Sequence, residues 1–337
     1  MKHIRFILPA LCITMGLATP VFAAGKNEKK LEIVKKATLK LLIQANSKPK
    51  DWARFHPTQS KNGDVSLDIK GLKYVEDLSA LKGIPIASLD LEGTRVKDLT
   101  PLRGMKLKVL TLDKTKVKEL RPIRAMPLVY LSFRHTKVSD IRVLRGMPLK
   151  FLLMGHTKVS DISPVNGMPL ERLDLSNTKI ENLNSIKGMP LRELLLNETK
   201  IVDIRILTGM KLEILYINDT GVSDISPLEG MPLVFLFMGR TKIKDLSVLR
   251  GMKLKYLELS RGKVQDISDL KGLPLEWLFM EKLKIKDVSA LEGMPLKELF
   301  LPKGAENFEF LRKVDTLKKI NGKKSKDFWA AWDARKK

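Results

Sequence analysis

The 337-residue chain carries 62 Lys and Arg against 38 Asp and Glu, a formal net charge of +24. A single cysteine, Cys12, excludes an intramolecular disulfide framework, and four histidines leave little material for a histidine-based catalytic or metal centre. No Gly-rich phosphate loop, HExxH or nucleophile-elbow pattern occurs, so an enzyme is the least supported class and no cofactor is expected.

In chain order, residues 1–23 read as a secretory signal peptide. Lys2 and Arg5 form a basic start, Phe6 to Leu17 is an apolar run too short for a comfortable membrane span, and Val21-Phe22-Ala23 is a small-residue cleavage site. The expected location is therefore outside the cytoplasm, periplasmic or secreted. Cys12 leaves with the leader, so the mature chain would have no thiol.

Residues 24–64 are expected to cap the N-terminal end. Glu28 to Gln44 predicts an amphipathic helix with Leu31, Val34, Leu41 and Leu42 on one face, followed by Trp52 and Phe55.

Residues 65 to about 304 read as repeats, and from Gly83 to Gly293 the chain returns every 21 residues without insertion or deletion. Gly83, Gly104, Gly146, Gly167, Gly188, Gly209, Gly230, Gly251, Gly272 and Gly293 keep the register, with Ala125 in the one gap. A short fixed period predicts a solenoid in which each unit buries its apolar face only against its neighbours. In the unit Leu149 to Pro169, apolar residues fall at Leu149, Leu152, Met154, Val159, Ile162, Val165 and Met168. The opening LxxLxL alternates and predicts a short strand. The second half, with Pro and Gly punctuation, predicts a 3-10 or single helical turn ending at glycine.

Two polar columns have scaffold readings. Thr stands just after the strand eight times in succession, from Thr94 to Thr241, where its hydroxyl reaches backbone groups. Asp77, Asp98, Asp140, Asp161, Asp203, Asp224, Asp245, Asp266 and Asp287 precede the turns, where a carboxylate caps free N–H groups.

The repeats LKVLTLDKTKVKELRPIRAM and LEILYINDTGVSDISPLEGM resemble bacterial leucine-rich repeats of the internalin-like type. The match covers roughly residues 65 to 301, with Thr where the family usually has Asn and a slightly shorter period. The resemblance implies an α/β leucine-rich-repeat solenoid. Its single parallel sheet would form the concave face, short 3-10 or helical turns the convex side, and helices would cap both ends.

Strand residues that alternate with the leucines form two further columns. Aromatic residues collect in them: Tyr130, Phe151, Phe235, Tyr256 and Trp277 in one, Tyr216, Phe237, Phe279 and Phe300 in the other. These nine are the candidate partner-binding residues, expected to be exposed together as an apolar strip. Ladder stacking of rings is the competing reading. A protein partner is the first expectation. The alternative is an anionic glycan or lipid, attracted by exposed Lys and Arg columns that include Arg95, Lys116, Lys137, Lys158 and Lys179. Nucleic acid suits an exported protein least.

His135 and His156 lie one repeat apart, but two histidines without a third ligand make a weak metal site. Residues 305–337 complete the chain as a C-terminal cap. The repeat register persists there through Leu317 and Ile320, and a final helix is expected from Ser325 as N-cap, with Phe328, Trp329 and Trp332 on one face.

Overall fold

The computed structural model describes residues 28–44, 57–60 and 62–335. The proposed signal peptide, Trp52, Phe55 and His56 lie outside these residues.

The repeats form one 15-stranded sheet whose spatial order is the chain order. The first pair, β1 (Thr58–Gln59) with β2 (Val65–Asp68), is antiparallel. From β2 onward every pairing is parallel, through eleven three-residue strands from β3 (Ser88–Asp90) to β13 (Glu298–Phe300) and on to β14 (Lys319–Ile320). A closing antiparallel strand, β15 (Lys323–Lys324), ends the sheet. Register follows the repeat, so Leu89 pairs with Leu110 and Leu278 with Leu299. The leucines between the two outward columns are buried in a continuous core that runs the length of the solenoid.

Each repeat returns through a 3-10 turn, from Ser79–Leu81 in the first to Ser289–Leu291 in the last. All nine Asp residues of the column cap it, each accepting the N–H two residues ahead at 2.7–2.9 Å. All eight threonine hydroxyls donate to the carbonyl three residues back at 2.6–2.8 Å. Both columns are scaffold: they satisfy backbone groups that no ladder reaches.

The glycine column sits at φ of 67–80°, in the left-handed region, and Ala125 is held there at 59°. An L residue pays about 1 kcal/mol for that conformation. Ala125→Gly is therefore expected to stabilise the chain by about 0.5 kcal/mol after the unfolded-state entropy of glycine is deducted. A lowered denaturation midpoint for Ala125→Gly would contradict this.

A second left-handed column follows the strands from β2 onward and holds glycine only at its start, at Gly71 and Gly93. It includes Lys114, His135, His156, Asn177, Glu198, Asp219, Arg240, Arg261 and Lys282, with φ between 51° and 62°. Across it the backbone hands its hydrogen bond to the next repeat, as when His156 N–H donates to Ser176 O at 2.7 Å.

Helix α1 (Glu28–Gln44) buries Val34, Ala37, Leu41 and Leu42 and packs on β2 and on the first 3-10 turn. At the other end, α2 (Ser325–Asp333) packs on β14 and β15. Trp329 is buried there, and Phe328 and Trp332 are partly buried against the same core. Ser325 is not the N-cap: it is the first helical residue, and Lys324 holds the cap position without a side-chain bond. The turn from the antiparallel β15 starts the helix one residue early.

Candidate binding surface

The sheet has two apolar faces. One is the leucine core. On the other, Ile214, Tyr216, Phe235, Phe237, Tyr256, Phe279 and Phe300 form a separate cluster, with Leu195, Val234 and Trp277 packed around it. Seven of the nine candidate residues therefore come together here. Tyr130 and Phe151 do not: they form their own tilted pair, 6.2 Å apart. Between the two groups lies a polar stretch of Arg172, Asp174 and Glu193.

The rings are less accessible than the alternation pattern predicts. Tyr256 is 2% exposed, Phe237 1% and Phe279 8%, whereas Tyr130, Phe151 and Trp277 are half-buried. The cause is ladder geometry. In-register parallel strands lie about 4.8 Å apart, close to the stacking distance of aromatic rings. Tyr216 and Phe237 stack at 3.9 Å, and Phe279 and Phe300 at 5.1 Å. The position between them in that column is Glu258, not an aromatic residue. Tyr256 leans across from the other column and fills the gap, 4.4 Å from Phe237 and 5.2 Å from Phe279. Five rings thus form one continuous stack.

Glu258 is turned aside to make room. Its carboxylate accepts Gly239 N–H at 2.9 Å and Ser260 N–H at 2.8 Å. A Cβ on Gly239 would lie 2.2 Å from Glu258 Oε2, so any larger residue there would displace the Glu258 carboxylate from the Gly239 N–H. Burial raises the Glu258 pKa, and the bonds from Ser260 and Gly239 oppose the rise. Asp113 plays a comparable part at the other end of the face, accepting Ser132 Oγ–H at 2.5 Å and pairing with Arg134 at 2.8 Å.

Glu193 is different. It is 1% exposed and lies 3.2 Å from Arg172, yet its Oε2 has no hydrogen-bond partner, nor does Arg172 Nε. Burial raises its pKa, with Arg172 opposing and Asp174 adding to the rise. The Tyr256 hydroxyl is likewise buried and unpaired.

Asp90 shows how this face handles charge. Burial pushes its pKa up to about 6, against the bond it accepts from Glu92 N–H at 2.8 Å. A carboxyl that binds its proton more tightly in the folded chain opposes folding when it ionises. The penalty is absent below the ordinary value of 3.8 and complete above about 6. Asp90→Asn, which keeps the acceptor, is expected to gain about 1 kcal/mol at pH 7.5, allowing for solvent screening, and nothing at pH 3. Denaturant midpoints at the two pH values check this, and an equal gain at both would contradict it.

The His135 and His156 rings stack at 4.2 Å and both residues are exposed. Among the described residues no group of three or more His, Cys, Asp or Glu converges to hold a metal ion.

No family model matches the chain, and no curated protein does. Solved structures do. An internalin from Listeria monocytogenes superposes with a TM-score of 0.66 at 24% identity, covering 76% of this chain and 86% of its own. A plant ice-binding protein gives 0.54 at 14% identity, over 87% of this chain and 95% of its own. The TLR13–ssRNA13 complex gives 0.50 at 16% identity, over 76% of this chain and 49% of its own. The unbroken 21-residue register, the strand and 3-10 turn in each unit and these superpositions agree. The chain is a leucine-rich-repeat protein with the fold of the internalins.

Proposed function

We propose that the chain is an exported, non-catalytic scaffold that binds a protein partner on the sheet face opposite its leucine core. The observation that carries this is the second apolar cluster, set on a face that neither α1 nor α2 packs against as a major contact. The rings of the cluster cover one another, so what this face offers a partner is its partly exposed rim. The fold alone does not choose the ligand, since one neighbour is described as ice-binding and another as an RNA complex. The choice of protein rests on half-buried Trp277, Leu195 and Val234 around the stack, the aromatic and aliphatic anchors that partner surfaces bury. Export rests on the composition of residues 1–23, and no helix among the described residues is long and apolar enough to cross a membrane.

The exposure of Lys137, Lys158 and Lys179 along one edge favours a second reading, an anionic glycan or lipid bound there. One experiment separates the two. The protein is recovered from the envelope and medium of an exporting host, its N-terminus is sequenced, and it is crosslinked to its neighbours. An N-terminus at Ala24 and a protein adduct that survives about 0.5 M salt but is lost in Trp277→Ala support the first reading. Intact Met1 on a cytoplasmic protein, or capture that depends only on salt and the lysine edge, overturns it.

A further inference from the structure

The two flanks of the sheet handle charge differently. Where the strands begin, acids interleave with cations and pair with them: Lys150 with Glu171 at 2.8 Å, Arg192 with Glu213 at 2.7 Å, and Lys255 with Glu276 at 3.6 Å. Where the strands end, the column Arg95, Lys116, Lys137, Lys158 and Lys179 holds no acid, and all five side chains are exposed. Arg95 lies 3.8 Å from Glu76, whereas among the described residues no ion pair reaches the four lysines. The nearest acids are committed elsewhere. Asp98, Asp140 and Asp161 are turned into the caps of their 3-10 turns, and Glu119 is the chain neighbour of Lys118. Glu181 takes Lys200 at 2.8 Å, and Glu198 and Asp219 follow on the same flank, so the uncompensated row stops at Lys179.

The backbone fixes the pitch of this row. Lys116 N–H donates to Val96 O at 2.9 Å, Lys158 N–H to Val138 O at 2.9 Å and Lys179 N–H to Val159 O at 3.0 Å. The residues are therefore spaced as the strands are, about 4.8 Å apart, and the row from Arg95 to Lys179 is about 19 Å long. Like charges at that pitch repel, and a polyanion laid along them removes the repulsion and releases bound counterions. The side chains just beyond the cations, Val96, Val117, Val138, Val159 and Ile180, are buried, so the row offers nothing apolar to an acyl surface. It does offer the exposed hydroxyls of Ser139 and Ser160, two residues beyond Lys137 and Lys158. Ammonium groups for anions and hydroxyls for hydroxyls match the chemistry of an acidic sugar polymer.

We infer that the flank from Arg95 to Lys179 binds a linear acidic glycan, one that carries a carboxylate or sulfate on successive sugars. The polymer runs across the strands, along the axis of the solenoid, with its anions on the lysines and its hydroxyls on Ser139 and Ser160. This deepens the second reading above, on whose lysine edge it rests. It leaves the ring cluster on the sheet face free for a protein, so the two surfaces can be occupied together.

The test uses the purified chain and a labelled oligogalacturonate, with one carboxylate per sugar and long enough to span the row. Binding is read by fluorescence anisotropy at salt between about 0.05 and 0.2 M. Lys137→Gln combined with Lys158→Gln is expected to weaken binding about tenfold and to flatten the slope of log K against log salt by about 1 to 1.5. Lys211→Gln combined with Lys253→Gln removes the same charge from exposed positions ahead of the strands, and is expected to change affinity less than about twofold. Thermal midpoints confirm that both double variants fold. Equal weakening by the two pairs shows attraction to net charge alone and overturns the site. Tighter binding of anionic phospholipid vesicles, lost with Lys137 and Lys158, overturns the glycan but keeps the lysine edge for lipid. Tighter binding of a single-stranded oligonucleotide overturns the glycan in favour of nucleic acid. Oligogalacturonate binding that is lost in Trp277→Ala moves the glycan to the ring cluster and overturns the edge site. Absence of binding by both glycan and vesicles overturns the second reading together with this one.

Discussion

Leu278→Ala is expected to destabilise the chain by about 2–5 kcal/mol. Leu278 is fully buried in β12 (Trp277–Phe279), in register with Leu257 and Leu299. Removing it opens a cavity inside a single layer of the leucine core. In a solenoid, layers are coupled only to their neighbours, so the damage is expected to uncouple the units beyond it, including β13 and β14. The adjacent Trp277 faces the other way because strand side chains alternate. It is half-buried at the rim of the ring cluster, with Lys297 Nζ 5.0 Å from its ring centroid. Trp277→Ala is expected to cost less than about 1 kcal/mol of stability but about 2 kcal/mol or more of partner affinity. The measurement is paired denaturant midpoints and affinities for both variants. Equal unfolding by the two would make Trp277 a packing element and remove the main support for a binding face.

Trp329→Ala is expected to cost about 3–5 kcal/mol in the C-terminal cap. Trp329 is buried, 5.9 Å from Phe308 and edge-on to Phe328 at 5.2 Å, with the Arg312 guanidinium 4.1 Å from its ring centroid. Arg312 is itself paired with Asp333 and Glu309. Losing the ring uncovers the last apolar layer, around Leu311, Leu317 and Ile320. Amide hydrogen exchange is expected to accelerate in β13 and β14 and to stay unchanged near β3. Uniform acceleration along the whole sheet would show that the cap acts globally.

The fold was legible because its determinants are local and repeated. A glycine at positive φ, a threonine reaching three residues back and an aspartate reaching two ahead each solve a backbone problem inside one unit. The apolar face of α1 was legible for the same reason, since Val34, Leu41 and Leu42 follow helical spacing. The candidate face was legible only as columns. Alternation fixed which side Tyr256 and Phe279 take, but their burial depends on strand spacing matching ring thickness, which no single repeat encodes. Tyr256 crossing to replace the ring absent at Glu258 involves both columns at once. The unpaired oxygen of Glu193 had no signal in its own repeat, because it depends on Arg172 one strand away offering only a single contact. The second left-handed column left little trace in the sequence, because beyond Gly71 and Gly93 it is occupied by Lys, His, Asn, Glu, Asp and Arg. Backbone bonds to the next repeat hold those residues there.

The central claim is that the partner meets the strand face and not the turns. Site-specific photocrosslinking tests it most directly, with a photoreactive side chain at Leu195, on the rim of the cluster, or at Glu229, on the exposed turn side. Both forms are expressed in the native host and irradiated. The account predicts one protein adduct from position 195, lost when Trp277→Ala is added, and none from position 229. An adduct from position 229 with none from 195, or a 195 adduct indifferent to Trp277→Ala, would contradict it.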